Sequence, residues 1–170
     1  SNNIPLYSLD IKSTTNIISR YININNSSNI AGAVITLYHD DNAALASGDR
    51  LGGFLMGGSR NSTNTLANSC SIFAFAAENW SDTQTGSFIS FENTPTGSTT
   101  RTERLRLFAS GNLLLQNGGT FTDGGQRLQV QGDAFIKGSG NTSGTTAFTV
   151  QNSDSLDSVK FYNNRIVGFY

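Results

Sequence analysis

The stretch TERLRLFASGNLLLQ, residues 102–116, decides the fold. Leu105 and Leu107 alternate with arginines, the polar turn Ser110–Asn112 follows, and a second apolar run comes at residues 113–115. A period of two predicts a strand with two different faces, and Gly or Asn between two such runs predicts a tight turn. The stretch is therefore expected to form an antiparallel β-hairpin.

The same period of two recurs along most of the chain. It is found at residues 22–25, 33–38, 88–91 and 127–131, each run bounded by Gly, Asn, Asp or Ser. Residues 71–77 are apolar on both faces, which is typical of a central strand covered on both sides. No stretch shows the apolar stripe of an amphipathic helix. The sequence thus predicts an all-β protein.

The sequence changes in character after this hairpin. Before it, runs of seven to nine residues carry bulky alternating side chains, which favours a small antiparallel β-sandwich over residues 1–116. After it come short strand–turn–strand units at residues 128–136 and 148–167, separated by glycine-rich segments such as the expected flexible linker 138–144. Units this short cannot bury a core alone and become stable by stacking. Residues 117–170 are therefore expected to form a β-hairpin or β-prism-like shaft.

The composition favours a folded, strand-rich chain. Only 14% of the 170 residues are charged, whereas about 25% is usual. Ser, Thr, Asn and Gly replace the missing charge and make up roughly 45% of the chain. Disordered chains combine few aromatic residues with a high net charge. Here aromatic residues make up 10% and the net charge is −1, which argues against disorder.

Several classes of partner are excluded by the same numbers. The 11 Lys and Arg residues are scattered and form no basic stripe, so nucleic-acid binding is not expected. The longest mostly apolar stretch, residues 30–38, is far shorter than the roughly 20 residues of a membrane span, so membrane insertion is not expected. The single Cys70 excludes an internal disulfide framework. The chain must therefore be stabilised by its own core or by neighbouring chains.

Short motifs follow one another in a specific order between residues 30 and 137. They are GDRLGGFLMGG (48–58), SFENTPTGS (90–98), TERLRL (102–107), SGNL (110–113) and RLQVQG (127–132). Their order and spacing resemble the β-rich region of tailed-bacteriophage tail fibres and tailspikes that precedes an endosialidase-type intramolecular chaperone. The chain departs from that family's pattern after Asn112, where three leucines replace the usual Val-Gly-Ile, and no chaperone segment follows Tyr170.

The resemblance implies a non-enzymatic structural component of a phage tail fibre, extracellular and on the virion. Its expected partners are two further copies of itself in a homotrimer, adjoining fibre segments, and a host cell-surface glycan or protein receptor. Both ends of the chain look cut, so a piece of a longer protein is expected, with the chaperone either cleaved off or omitted. A narrow three-fold β-shaft would pool apolar side chains from three chains and remove exposed strand edges.

Three residues are candidates for receptor contact. Trp80 stands in the polar stretch 78–86, where an exposed indole could stack on a sugar ring or anchor a protein contact. The alternative is that Trp80 caps the core or packs at the trimer interface. Tyr38 and His39 are secondary candidates at an expected strand end. His39, beside Asp40, is otherwise interpreted as an exposed turn residue.

No catalytic residue, metal site or cofactor is predicted. The Asp40–Asn42 run lacks calcium-loop spacing and fits an Asx turn, while Cys70 fits an inert buried thiol. The carboxylates considered for glycan hydrolysis form no pair in the sequence: Asp49, Glu78, Glu92, Glu103 and Asp133. Two alternatives to the fibre nevertheless remain open. They are a monomeric carbohydrate-binding or adhesin module and a tailspike glycan hydrolase with a site assembled across subunits.

Overall fold

The computed structural model divides the chain into two compact units, residues 1–39 and 40–170, each described by itself. The structure describes residues 34–40, 42–137, 146–151, 157–162 and 167–169. Three predicted features lie outside these residues: the strand at 22–25, the linker at 138–144 and the turn after residue 151. None of the described residues belongs to a helix that is long and apolar enough to cross a membrane.

The described residues form nine strands in two sheets. The strands are β1 (Arg50–Ser59), β2 (Leu66–Ala76), β3 (Ser87–Asn93), β4 (Thr102–Leu107), β5 (Leu113–Gln116), β6 (Leu128–Gln131), β7 (Thr146–Gln151), β8 (Asp157–Tyr162) and β9 (Val167–Phe169). One sheet holds β1 to β6 in chain order, and the other holds β7, β8 and β9. All pairs are antiparallel except β5–β6. The predicted all-β class is confirmed, whereas the sandwich form, the boundary at residue 116 and the trimer stay predictions.

The hairpin that decides the fold is confirmed. Strands β4 and β5 pair with Leu105 opposite Leu115 and Leu107 opposite Leu113. The backbone N–H of Phe108 donates to the carbonyl of Asn112 at 2.9 Å, which closes the turn. Gly111 has φ of 80°, a left-handed conformation that glycine adopts without a steric penalty. The polar turn residues therefore set the register of the leucines on both strands.

The strand–turn–strand unit predicted at residues 128–136 is wrong in its second half. β6 forms as expected, but residues 134–136 are not in a strand. β6 instead pairs in parallel with β5, which precedes it by a connection spanning residues 117–127. A parallel partner requires such a crossover rather than a tight turn. β6 was thus predicted correctly as a strand. Its partner was expected to follow it in the sequence, whereas the observed partner, β5, precedes it.

The strand predicted over residues 33–38 is also wrong for its described part. Residues 34–40 have no regular secondary structure, and all seven are exposed. No described strand pairs with this segment. Alternation favours a strand only where a ladder partner is available to take its backbone hydrogen bonds.

The buried core lies on one face of the six-stranded sheet and beside it. Phe73 of β2 and Leu114 of β5 are buried on that face, and both belong to one cross-strand row. Leu45, before β1, and Phe121, in the β5–β6 connection, are buried outside the strands. Chain segments that flank the strands thus supply core residues, and we call the face that carries Phe73 and Leu114 the core face.

Candidate functional site

The opposite face of the six-stranded sheet carries two rows of apolar residues with no charged side chain among them, and we call these rows, together with Met56 and Cys70 beside them, the apolar face. It consists of Gly52, Phe54, Met56, Cys70, Ile72, Ala74, Ile89, Phe91, Leu105, Leu107, Leu113, Leu115, Leu128 and Val130. Successive side chains of a strand point to opposite faces, so this composition requires the same alternation on all six strands. The strand registers keep that alternation in phase from β1 to β6.

Two apolar rows cross the sheet from edge to edge. The first row runs Phe54, Ile72, Phe91, Leu105, Leu115, Val130, and the second runs Gly52, Ala74, Ile89, Leu107, Leu113, Leu128. Both rows lie on the same side of a bulge after Phe91 in the β3–β4 pair, which shifts the register by one residue and places Glu92 opposite Glu103. Every strand of the sheet therefore contributes a residue to each row, and among these residues only Gly52 has no side chain.

The large side chains of the apolar face are partly exposed to solvent. Eight of its large side chains are at least one third exposed, from 37% at Ile89 to 61% at Leu128. If a large side chain offers on the order of 150 Å², these fractions amount to roughly 500 Å² of apolar surface. Soluble monomers rarely expose a contiguous apolar patch of more than a few hundred Å². The largest apolar patch of a typical monomer covers about 300–600 Å² and is often functional, so this face is a candidate binding surface.

The core face has the opposite character, because its charges satisfy one another. Glu92 and Glu103 lie directly opposite each other on β3 and β4. Arg101 binds Glu92 at 3.0 Å, and Ser71 donates to the same carboxylate at 2.8 Å. Arg106 binds Glu103 through two hydrogen bonds of 2.7 Å. Two facing carboxylates are thus neutralised by two guanidinium groups.

Arg106 also lies among three aromatic rings. Its guanidinium carbon is 4.2 Å from the ring centroid of Phe88, 5.2 Å from that of Phe121 and 5.6 Å from that of Phe108. A guanidinium within about 6 Å of a ring face is attracted by the ring quadrupole. This side chain therefore connects β3, β4 and the β5–β6 connection. Since its donors already serve Glu103, it offers little to a ligand.

Asp123 lies in the β5–β6 connection and links it by hydrogen bonds to the turn of the β4–β5 hairpin. Its carboxylate accepts hydrogen bonds from the Ser110 hydroxyl at 2.6 Å, the Asn112 amide at 2.9 Å, the Gly125 N–H at 2.8 Å and the Gln129 amide at 3.1 Å. These donors, Ser110 foremost, hold the pKa of Asp123 well below its usual range. Every strong contact of this group is internal, so its role is structural.

Trp80 is placed in the loop between β2 and β3, as expected, and is half-buried. Its backbone N–H donates to the carbonyl of Leu45 at 2.8 Å, and its indole Nε1–H donates to the carbonyl of Gly86 at 3.0 Å. Glu78 accepts the N–H of Gly86 in the same loop at 2.8 Å. The polar end of the indole is therefore used within the loop. Its role in receptor contact stays a prediction.

Tyr38 and His39 belong to the first compact unit, and Trp80 belongs to the second. Tyr38 is 86% exposed, and His39 is exposed as well. The Asx turn predicted beside them is present, since the N–H of Asn42 donates to the carboxylate of Asp40 at 3.0 Å. Receptor contact through Tyr38 or His39 stays a prediction.

Four of the five carboxylates considered for catalysis are engaged in structural contacts, and the fifth, Asp133, is exposed. Glu92 and Glu103 are the two that come together, and each is paired with an arginine. Asp49 accepts the N–H of Ala46 at 2.8 Å. Within the described ranges, no group of three His, Cys, Asp or Glu residues could hold a metal ion. Cys70 is half-buried on the apolar face, with its thiol 3.9 Å from the carbonyl of Met56.

Sequence reasoning found the alternation but missed the apolar face. It expected the alternating strands to face each other in a sandwich, which would have buried these side chains. The available signal was the repeated occurrence of a large apolar residue next to Arg, Glu or Gln, as at Leu105, Leu115 and Val130. Asp123 was missed as well, because its donors are spread over 20 residues of sequence and meet only in the fold.

No family model matches the sequence, and no curated protein matches it. Two similar solved structures belong to the bacteriophage T5 L-shaped tail fibre. One is its carboxy-terminal domain, with 18% identity, a TM-score of 0.54, and coverage of 84% of this chain and 66% of that one. The other is that domain with its intramolecular chaperone domain, with 14% identity, a TM-score of 0.51, and coverage of 96% and 62%. The predicted tail-fibre resemblance is confirmed for the fold, and the chain spans just under two thirds of these structures.

Proposed function

We propose that this chain is a structural segment of a phage tail fibre, carried outside the cell on the virion, and that three copies assemble through the apolar face. The observation that carries this proposal is the uncharged face itself, which runs across all six strands. Its roughly 500 Å² per chain is of the same order as the about 800 Å² that each partner buries in a standard protein–protein interface. The shared fold with a tail-fibre domain supports the same assignment.

In this role the chain supplies length and registers the subunits against one another. The antiparallel ladder from β1 to β5 gives each copy its own framework of backbone hydrogen bonds. The apolar rows then set how the copies pack, because a displaced row would leave large side chains exposed. Adjoining fibre segments are its further partners.

A non-enzymatic role is part of the proposal. The two carboxylates that face each other, Glu92 and Glu103, are both held by arginines. A glycosidase needs one carboxyl group that keeps its proton and a second that stays ionised. Both carboxylates are already bound by guanidinium groups of the same chain, which leaves neither of them directed at a substrate.

Receptor contact is a second proposal, and the exposure of Tyr38 supports it. An exposed tyrosine presents a large apolar ring with a hydroxyl that can donate and accept. Replacing Tyr38 by Ala is expected to reduce binding of the fibre to host cells without changing its subunit count. Equal binding by the variant and the original chain would argue against this contact.

The first test of the proposed assembly is the mass in solution, measured by light scattering. We expect three times the chain mass of 18.2 kDa, in a form that withstands detergent until it is heated. Closure around a three-fold axis buries the apolar face of every copy and leaves none exposed. A stable monomer of 18.2 kDa would contradict the proposed trimer and favour the alternative of a monomeric carbohydrate-binding or adhesin module.

A charge on the apolar face provides a sharper test. Phe91→Lys places an ammonium group in the middle of the first row, where Phe91 is 40% exposed in the single chain. An isolated chain would tolerate this change, whereas an assembled one must bury three unpaired charges, at a cost of several kcal/mol each. We expect loss of the trimer. Gln131→Lys, an exposed change on the core face, is the matched control and should leave the mass unchanged.

A further inference from the structure

Arg104 differs from the arginines of the core face, because no described carboxylate contacts it. Arg101 and Arg106 each bind a glutamate. Arg104 instead donates from Nε to the side-chain oxygen of Asn93 at 2.7 Å and from Nη1 to the side-chain oxygen of Asn117. Two neutral amides thus hold this guanidinium group in a fixed position, and its charge is left without a counter-charge in the described part of the chain.

A β-bulge takes Arg104 out of the alternation of β4. Phe91 pairs with Leu105 and Glu92 pairs with Glu103, so Arg104 is an additional residue between these two pairs. Strict alternation from Leu105 would place Arg104 on the core face, because neighbouring side chains of a strand point to opposite faces. A bulge redirects the side chain of the additional residue. The face on which Arg104 lies is therefore shown by its contacts.

These contacts place the guanidinium group of Arg104 on the side of the apolar face. Asn93 follows Phe91 by two residues, and Asn117 follows Leu115 by two residues, so both continue the alternation of the first apolar row. The side chains of both asparagines bind the same guanidinium group. Arg104 is therefore a half-buried cation at the border of the apolar face.

Assembly through the apolar face encloses this cation. A three-fold assembly that buries this face turns it toward the axis in every copy. β4 is the fourth of six strands, so Arg104 lies near the middle of the width of the sheet, and three Arg104 side chains meet around the axis. An enclosed charge without a partner is strongly destabilising, and three like charges also repel one another. An anion between them removes both penalties.

We propose that the assembled segment binds a small tetrahedral oxyanion, of the class of sulfate and phosphate, on its three-fold axis between three copies of Arg104. This inference rests on the proposed trimer and adds a ligand to it. A guanidinium group has five N–H donors in a planar fork that matches the oxygens of such an anion. Asn93 and Asn117 occupy Nε and Nη1, and no described residue accepts a hydrogen bond from Nη2.

The symmetry of a tetrahedral anion suits this position. Viewed along one of its bonds, the anion presents three equivalent oxygens related by a three-fold rotation, one for each copy. Because two asparagines already hold each guanidinium group, little further ordering is needed, and pre-organised donors favour binding. The rival counter-charge is the exposed Asp133 of a neighbouring copy, which follows the edge strand β6, two strands away from β4.

Calorimetric titration of the assembled protein with sodium sulfate tests this site, in a chloride buffer kept at constant ionic strength. We expect one sulfate to bind per three chains, and phosphate to give the same stoichiometry. The thermal midpoint should rise with sulfate concentration and approach a plateau in ionic-strength-matched buffers, because an anion that binds the folded assembly stabilises it according to its occupancy. General exclusion of sulfate from the protein surface also stabilises proteins, but it does not require Arg104.

Arg104→Ala should abolish sulfate binding and leave the subunit count unchanged. Arg60→Ala is the matched control, because it removes the same charge from an exposed arginine in the β1–β2 connection and should bind sulfate like the original chain. Three sulfates per trimer, or an equal response of the original chain and Arg104→Ala, would overturn the axial site and leave the proposed function intact. A trimer that binds neither sulfate nor phosphate would overturn it as well and favour Asp133 as the counter-charge. A monomeric mass of the original chain would contradict both proposals.

Discussion

The two faces of the six-stranded sheet are built from the same strands and differ in almost every respect. On the core face, Arg101 and Arg106 are matched to Glu92 and Glu103, and aromatic rings pack against the guanidinium groups. On the apolar face no charge is present, and the largest side chains are exposed in the single chain. One face is complete within the chain, and we propose that the other is completed by neighbouring copies.

This comparison shows that a strand whose residue types alternate can have a different role on each of its two faces. Neighbouring residues such as Leu105 and Arg106 lie on opposite faces and make separate contacts. The core face is expected to determine how stable each chain is, and the apolar face is expected to determine how many chains assemble. Substitutions on the two faces should therefore change different measured quantities.

The largest effect on the stability of the single chain is expected from Arg106→Ala. The change leaves the Glu103 carboxylate, whose side chain is 17% exposed, without its two charged donors, and it removes the contacts with three rings. We expect the free energy of unfolding to fall by about 2–3 kcal/mol. Chemical denaturation measured at one fixed protein concentration checks this, because assembly makes stability depend on concentration.

Arg104→Ala is the matched control for this prediction. Arg104 lies on the same strand, but it contacts the neutral side chains of Asn93 and Asn117 rather than a carboxylate. Its loss should cost less, about 1 kcal/mol or below. Light scattering should show the same subunit count for both variants, unlike Phe91→Lys. If Arg106→Ala loses assembly under conditions where the chain stays folded, this would contradict the proposal that the core face determines stability and the apolar face determines assembly.

The sequence allowed prediction of the strands that have a neighbour close by in the chain. The β4–β5 hairpin was found because its turn residues and both leucine runs lie within 15 residues. The parallel β5–β6 pair was missed, since its register depends on the crossover that Asp123 fastens. The strand expected at residues 33–38 is not formed in its described part, residues 34–38, and alternation alone does not reveal whether a partner strand is present. The apolar face was missed for a related reason, since the pattern shows which residues share a face and not what covers it.

A smaller and pH-dependent effect is expected from Asp123→Asn. The pKa of Asp123 is lowered in the folded chain, so its carboxylate contributes stability that is present above the unfolded pKa of about 3.9. This contribution is lost as the pH falls through the lower folded pKa. Near pH 7 we expect the variant to melt at a lower temperature than the original chain. The gap should narrow once the pH falls below about 4.

Asp133→Asn makes the same change of charge at an exposed position and is the control for Asp123→Asn. It should leave the melting temperature nearly unchanged at neutral pH. A constant gap between the original chain and Asp123→Asn across the whole pH range would show that ionisation of this carboxylate is irrelevant. The hydrogen bonds to Ser110 and Asn112 would then act through their geometry alone.

The smallest effect is expected from Trp80→Phe, which keeps an aromatic ring in the β2–β3 loop and removes the indole N–H. The carbonyl of Gly86 loses this donor but keeps the N–H of Ala77 at 2.9 Å, so it is not left without a hydrogen bond. The cost should therefore be about 1 kcal/mol or less. If Trp80 only stabilises the β2–β3 loop, a Trp80→Phe fibre should bind host cells as well as the original fibre does. A Trp80→Ala fibre should then have a lower free energy of unfolding while its host-cell binding is retained. Loss of binding in a Trp80→Ala fibre that is folded and fully assembled would instead assign Trp80 to the receptor contact.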